Sequence, residues 1–260
     1  MVINLERLKQ NEDIQVMHIF HSGVMLEINQ NLIIFDYYYE KNAFDRKKFT
    51  DYLKTKPNTD IYYIVTHGHH DHFSEEIFSP SHQSSKGTTR YILSEDLKEY
   101  KGINSNITFC KPYDKLTIGS LNIKTFGSTD QGVSYLVEVI GSEKLIFHSG
   151  DLNWWHWKSF SPDEKLQEKK DYLQELEKIK AYLFQNNLTI DIAFVPVDPR
   201  LEEFYNLAGN AFIDEIKPKK IFPLHFRNEY EVTTEFQNQC QIPGVFQSVN
   251  HPMETFILSD

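Results

Sequence analysis

The chain has 260 residues, 40% hydrophobic and 25% charged, with 11 Gly and 10 Pro, a composition that excludes disordered and fibrous classes and allows a sizeable core. With 27 Lys and Arg against 37 Asp and Glu, the net charge of −10 supplies no global basic field for phosphate backbones, so nucleic acid is disfavoured as a partner. No apolar run approaches the roughly eighteen residues of a membrane span, and the amino terminus reaches Glu6 and Arg7 without a signal-like stretch. Cys110 and Cys240 allow at most one bridge, which a domain of this size does not need, so reduced thiols and a cytoplasmic location are expected.

Taken in chain order, strands are predicted over 15–20, 24–28 and 32–35, joined by Ser22-Gly23 and the turn at 29–31. An amphipathic stretch at 44–53 precedes a strand at 61–65, which opens directly into a histidine cluster at 67–72. The Ser-rich residues 79–89 carry few apolar anchors and read as a surface loop, either a lid or a disordered segment. Strands resume at 91–93, 121–125, 133–140 and 144–147, the last two closed by Gly141-Ser142. Over 162–186, Leu166, Leu173, Leu176, Ile179 and Leu183 fall near one helical face, which predicts a packed helix. A strand at 192–197, a helix at 211–216 and strands at 221–223 and 255–258 complete the pattern. Strand blocks in both halves, each followed by helix, predict an α/β chain of two packed sheets with helices outside, forming one domain over 1–260.

His67-Gly68-His69-His70-Asp71-His72 carries the chemistry. In extended backbone alternate side chains share a face, so His67 and His69 can hold one metal while the following turn aims Asp71 and His72 at a neighbouring point. Imidazole with carboxylate suits zinc first, and iron or manganese as alternatives. The competing account is a loop that merely titrates.

This motif resembles the metallo-β-lactamase superfamily of metal-dependent hydrolases, which implies a four-layer αβ/βα sandwich with one or two divalent ions at the sheet edges. Ile146 to Asp151 is similar to that family's strand ending in Gly-Asp, which implies a bridging role for Asp151, and Phe222 to Phe226 is similar to the strand that supplies its last histidine, here His225. Phe20-His21-Ser22-Gly23 and Phe35-Asp36 resemble the branch of ascorbate-phosphate lactonase-like and tRNA-3′-processing-like hydrolases, and Gly150 to Trp157 resembles a bacterial subgroup of it. No added RNA-binding arm is recognisable. One position departs from the family: where a further histidine is expected as third ligand of the first metal, this chain has Gly127-Ser128-Thr129-Asp130. Asp130 is the first candidate replacement, His156 the second, and an incomplete first site the third; as a turn residue, Asp130 has a purely structural explanation of equal weight. His148, three residues before Asp151 on a strand, is expected to face away from it.

The resemblance implies hydrolysis of a small ester, lactone or phosphoester by hydroxide formed on the metal, which lowers the pKa of water from 15.7 to about 7. Asp71 is then expected to orient that nucleophile, with His21 or His156 as leaving-group acid. Trp154, Trp155 and Trp157 around His156 are candidates to wall a substrate pocket, against packing in the core. Alternation sets Trp154 and His156 opposite Trp155 and Trp157, so that half line the site and half are buried, with Trp154 taken as the substrate contact. Arg200 is the candidate anion clamp, against an Asp198–Arg200 pair that merely fixes a loop. A non-hydrolytic metal protein of redox or binding type is the alternative. The expected partner is a small molecule, and homo-oligomerisation is left open.

Overall fold

Period-two alternation in the opening strands divides their side chains between two cores. In β1 (Ile14–Phe20), β2 (Gly23–Ile28) and β3 (Asn31–Phe35), Val16, Leu26, Ile33 and Phe35 enter one core while Met17, Ile19, Met25 and Ile34 enter another. The computed structural model describes residues 13–142 and 144–259; the sequence reading that finds no signal peptide falls on residues 1–12, outside this part.

After β3 come α1 (Arg46–Lys54), β4 (Asp60–Val65), β5 (Thr89–Ser94), β6 (Ile107–Cys110), β7 (Lys115–Ile118), β8 (Leu121–Phe126), β9 (Ser134–Val139) and β10 (Lys144–His148). The second half contributes α2 (Pro162–Asn186), β11 (Ile192–Pro196), α3 (Leu207–Ile216), β12 (Lys220–Leu224), α4 (Glu231–Gln239) and β13 (Glu254–Leu258). One sheet has the order β13-β1-β2-β3-β4-β5-β6 and the other β12-β11-β10-β9-β8-β7. Pairing is antiparallel from β13 to β3 and from β10 to β7, and parallel from β3 to β6 and from β10 to β12.

The sheets pack face to face through Val16, Leu26, Phe35 and Ile64 on one side and Val137, Ile146, Phe194 and Phe222 on the other. α1 covers the outer face of the first sheet through Phe49 and Leu53. The outer face of the second is covered by α2, α3 and α4 through Leu176, Ile179, Phe212 and Phe236. Burying each such side chain contributes about 1.5–3 kcal/mol. α2 starts where the sequence dictates: Ser161 and Glu164 form a reciprocal capping box, with Pro162 in the first turn, where its missing N–H costs nothing.

Three features differ from the sequence reading. β6, β7 and α4 carried no clear periodic signal, because β6 and β7 have four residues each and α4 is largely polar. α3 begins at Leu207, four residues before the expected 211. Residues 79–89 are neither lid nor disordered: His82 is buried against Tyr37 and Phe49, and Ser84 Oγ donates to the Thr59 carbonyl at 2.7 Å. Cys110 and Cys240 are free thiols, and no described helix is long and apolar enough to cross a membrane.

Candidate metal centre

The carboxyl ends of parallel strands from both sheets meet along one edge, where loops can aim side chains into a shared crevice. β3 delivers Asp36 there, β4 the segment from Thr66 to His72, β10 Asp151, β11 Asp198 and β12 His225, while the β1–β2 turn adds His21. His21, Asp36, His225 and Arg227 all adopt positive φ, from 44° to 68°, a strained choice for non-glycine residues that concentrates at this edge. Two glycines permit the approach of the strands: a Cβ on Gly150 would lie 2.7 Å from the Thr66 side chain, and one on Gly132 would lie 2.0 Å from the Thr66 carbonyl oxygen.

Two groups of potential ligands result, each with its ligand atoms within 4.8 Å of one another. The first comprises His67, His69, Asp130 and Asp151; the second comprises His21, Asp71, His72 and His225. Asp151 stands between them, with Oδ1 3.1 Å from His72 Nε2 and 3.3 Å from His225 Nε2, and Oδ2 3.7 Å from His67 Nε2. The second group is wholly buried, whereas the His69 and Asp130 side chains are each 44% exposed. His69 Nδ1 lies 3.0 Å from His67 Nε2 and 3.5 Å from Asp130 Oδ2.

Behind these atoms lies a supporting layer. Asp36, fully buried, takes the His72 Nδ1 proton at 2.8 Å, the Thr66 hydroxyl at 2.7 Å and the Thr66 backbone N–H at 2.8 Å. With its proton given to Asp36, Thr66 Oγ1 accepts from His67 Nδ1 at 3.1 Å. Asp198 Oδ2 accepts from His225 Nδ1 at 3.0 Å, and Arg200 Nη2, 3.1 Å from that nitrogen, is bound to the same oxygen at 2.6 Å. On these contacts Nδ1 of His67, His72 and His225 carries a proton, which leaves Nε2 of each as the atom that faces Asp151.

Charge follows this geometry. Burial pushes the His67 imidazole down to about 4, reinforced by neighbouring His72, so it is neutral near pH 7. Burial opposes the charged form of His72 and His225 too, but Asp151 with Asp36, and Asp151 with Asp198, outweigh it and hold both above the ordinary value. Asp151 itself is also penalised by burial, yet His72 and His225 keep it well below the carboxylate range. His72 Nε2 and Asp151 Oδ1 are buried without a well-aligned hydrogen bond to any described group. Without a cation the Nε2 protons of His72 and His225 face Asp151; a divalent cation would take their place between imidazole nitrogen and carboxylate oxygen, and this donor set fits one.

A cleft of about 530 Å³ opens above the groups, lined by His69, Asp130, Trp155, Trp157, Phe160 and Arg200 among others. The Trp155 and Trp157 rings are parallel within 2° at 5.8 Å, Trp155 sits edge-on to His225 at 5.7 Å, and the Arg200 guanidinium lies 5.5 Å over Trp157. Trp154, the expected substrate wall, lies elsewhere, packed near Tyr172 with Lys169 over its ring. His156 rests on Phe204 at 4.2 Å, outside both ligand groups and the cleft lining. Alternation along this segment is the reason: it turns Trp155 and Trp157 toward the cleft and their neighbours away. Arg200 lines the cleft and also forms the Asp198 pair. His148 faces away from the ligand groups, stacked on Phe35. Sequence reasoning missed the parts played by Thr66, Asp36, Asp198 and Arg227; only the polar Asp198-Pro199-Arg200 run after a buried strand hinted at one of them.

The chain matches no family model. It is 25% identical over 242 residues to a UPF0173 metal-dependent hydrolase of Nanoarchaeum equitans, covering 89% of this chain and 94% of that protein. Among solved structures it resembles Igni18, a metallo hydrolase of Ignicoccus hospitalis, with a TM-score of 0.65 at 15% identity over 95% of this chain and 98% of that one. It also resembles CmlA, a diiron β-hydroxylase of Streptomyces venezuelae, with a TM-score of 0.59 at 11% identity over 96% of this chain and 54% of that one. The fold is that of the metallo-β-lactamases, which the sequence resemblance implied.

Proposed function

We propose that this chain is a metal-dependent hydrolase that cleaves a small ester, lactone or phosphoester bond at the edge where its two sheets meet. One observation carries the reading: two sets of buried or half-buried His and Asp side chains converge on a single carboxylate, Asp151, from both sheets. Similarity to a relative named a metal-dependent hydrolase supports it.

In this reading His67, His69 and Asp130 would hold one divalent cation and Asp71, His72 and His225 another, with Asp151 available to either. Zinc is the first choice for this donor set, with iron or manganese next. A bound cation supplies Lewis acidity and lowers the pKa of the water it holds to about 7. The chain's own contribution is positioning. Asp36 and Asp198 fix the imidazole rings, Arg227 Nη2 donates to Asp71 Oδ2 at 3.0 Å and orients that carboxylate, and the parallel Trp155 and Trp157 rings offer an apolar wall beside His225. The cleft volume suits a small molecule, and Arg200 on its wall suits a substrate with an anionic group. Residence in the cytoplasm, with Cys110 and Cys240 reduced, belongs to the same proposal.

The test is elemental analysis of the purified protein together with assays on generic phosphodiester, lactone and thioester substrates before and after chelation. Stoichiometric metal and a hydrolytic activity lost on chelation and restored by the metal are expected. A protein that takes up no transition ion overturns the reading. So does one that holds iron stoichiometrically yet hydrolyses none of the three substrates, which would instead match the redox alternative.

A further inference from the structure

His21 lies among the ligand atoms of the second group, but its hydrogen bonds differ from those of every other histidine there. His72 and His225 meet carboxylate oxygens at Nδ1, and His67 meets a hydroxyl whose own proton is given away, so each keeps a proton on Nδ1 and has Nε2 as the atom a cation would take. His21 Nδ1 instead accepts the backbone N–H of Arg227 at 3.3 Å. A ring nitrogen that accepts an N–H holds no proton, so the proton of a neutral His21 resides on Nε2. That atom is buried, lies 3.5 Å from Asp71 Oδ2, and makes no well-aligned hydrogen bond to any described group.

The same arrangement occurs at His148, whose Nδ1 accepts the Gly150 N–H at 3.1 Å and whose Nε2 donates to the Ser22 carbonyl at 3.0 Å, and His148 belongs to neither ligand group. The backbone enforces the arrangement at His21. His21 and Arg227 both take positive φ, 55° and 48°, and the His225 N–H donates to the His21 carbonyl at 3.3 Å, which ties the two turns together.

We propose that His21 is neither a metal ligand nor the leaving-group acid of this centre but a neutral positioning residue: with Nδ1 taken by the Arg227 N–H, its Nε2–H faces Asp71 Oδ2 from 3.5 Å and closes to a hydrogen bond beside Arg227 Nη2 when Oδ1 is drawn to a cation. A ligand would need a lone pair where His21 carries a proton. An acid giving up that proton would become an imidazolate, since Nδ1 is already committed as an acceptor. The second site therefore has three side chains of its own, Asp71, His72 and His225, plus Asp151, and His21 is a positioning residue. This rests on the hydrolase reading for its link to activity, though not for its first readout.

That readout is a two-bond proton–nitrogen correlation spectrum of the uniformly labelled protein, with and without zinc. His21 is expected to show the Nε2–H form with an unprotonated Nδ1 in both; a protonated Nδ1 or a zinc-bound Nε2 overturns the inference, whether or not the protein proves to be a hydrolase. The second is metal content: His21→Gln, which keeps an N–H donor, retains as many cations per chain as the unaltered protein, whereas His225→Gln loses about one. Loss of a cation from folded His21→Gln overturns the inference. The third is rescue: with a hydrolysable substrate in hand, His21→Ala loses about a hundredfold in kcat, and His21→Gln recovers most of it; equal losses in both variants overturn the donor role.

Discussion

The two halves of the candidate metal centre are built to different standards. The second group is buried, with only Asp71 and His225 reaching the cleft wall, and two of its histidines are each held by a buried carboxylate, Asp36 for His72 and Asp198 for His225. In the first group only His67 is comparably fixed, through Thr66, while His69 and Asp130 stand nearly half exposed at the mouth of the cleft. Preorganised ligands give up little freedom when a cation arrives, whereas exposed ones must be ordered at that moment. On the proposed hydrolase reading, we infer from this difference one tight and one exchangeable site, the exchangeable one being the more exposed to the cleft.

Removing the group common to both halves has the largest expected effect. Asp151→Ala deletes the carboxylate that stands between the sites, and both cations and all hydrolytic activity are expected to vanish, read by elemental analysis and the generic substrate assays. The variant also leaves His72 and His225 raised in pKa by one carboxylate fewer, so its folding is checked by thermal unfolding. Retention of one tightly held cation would show that the second group stands without Asp151 and would sharpen the contrast.

How much of this was readable in advance depends on distance along the chain. His67, His69, Asp71 and His72 are contiguous, so strand alternation and a turn place them with no knowledge of the fold. Asp151 and His225 entered only through resemblance. The supporting carboxylates were out of reach of any local pattern: Asp36 is 30 residues from Thr66 and Asp198 is 27 from His225, contacts that exist only once β3 lies beside β4 and β11 beside β12. The same reasoning explains the choice of tryptophan. Alternation sorted Trp154 and His156 from Trp155 and Trp157, but which pair faces the cleft is set by the packing of Trp154 near Tyr172 of α2. The buried sandwich strands, apolar and bounded by turns, were legible, and the short β6 and β7 were not.

The supporting layer provides the next pair of tests. Asp36→Asn removes the charge that holds His72 directly and His67 through Thr66, so affinity at both sites is expected to fall by about 10–100-fold in competition titrations with a chromophoric chelator. Asp198→Asn, which touches only His225 among the candidate ligands and otherwise loosens Arg200, is expected to cost a similar factor at the tight site and leave the exchangeable one unchanged. If Asp198→Asn weakened both equally, the two sites would be one cooperative unit and the proposed asymmetry would fail.

The smallest effect is expected at Asp130, where the sequence departs from the family and where ligand and turn explanations weigh equally. Burial, helped by the nearby Asp151 charge, raises its pKa, and His69 pulls the other way, as expected of a carboxylate drawn toward a shared site. Its backbone N–H donates to Ser128 Oγ at 3.2 Å and closes the turn without help from the carboxylate. Asp130→Asn preserves the turn and removes the charge, so the two roles separate cleanly. A ligand role predicts about tenfold weaker binding at the exchangeable site alone, because a half-exposed oxygen donor contributes less than a buried one. Unchanged affinity at both sites would make Asp130 a turn residue and reduce the first site to His67, His69 and Asp151.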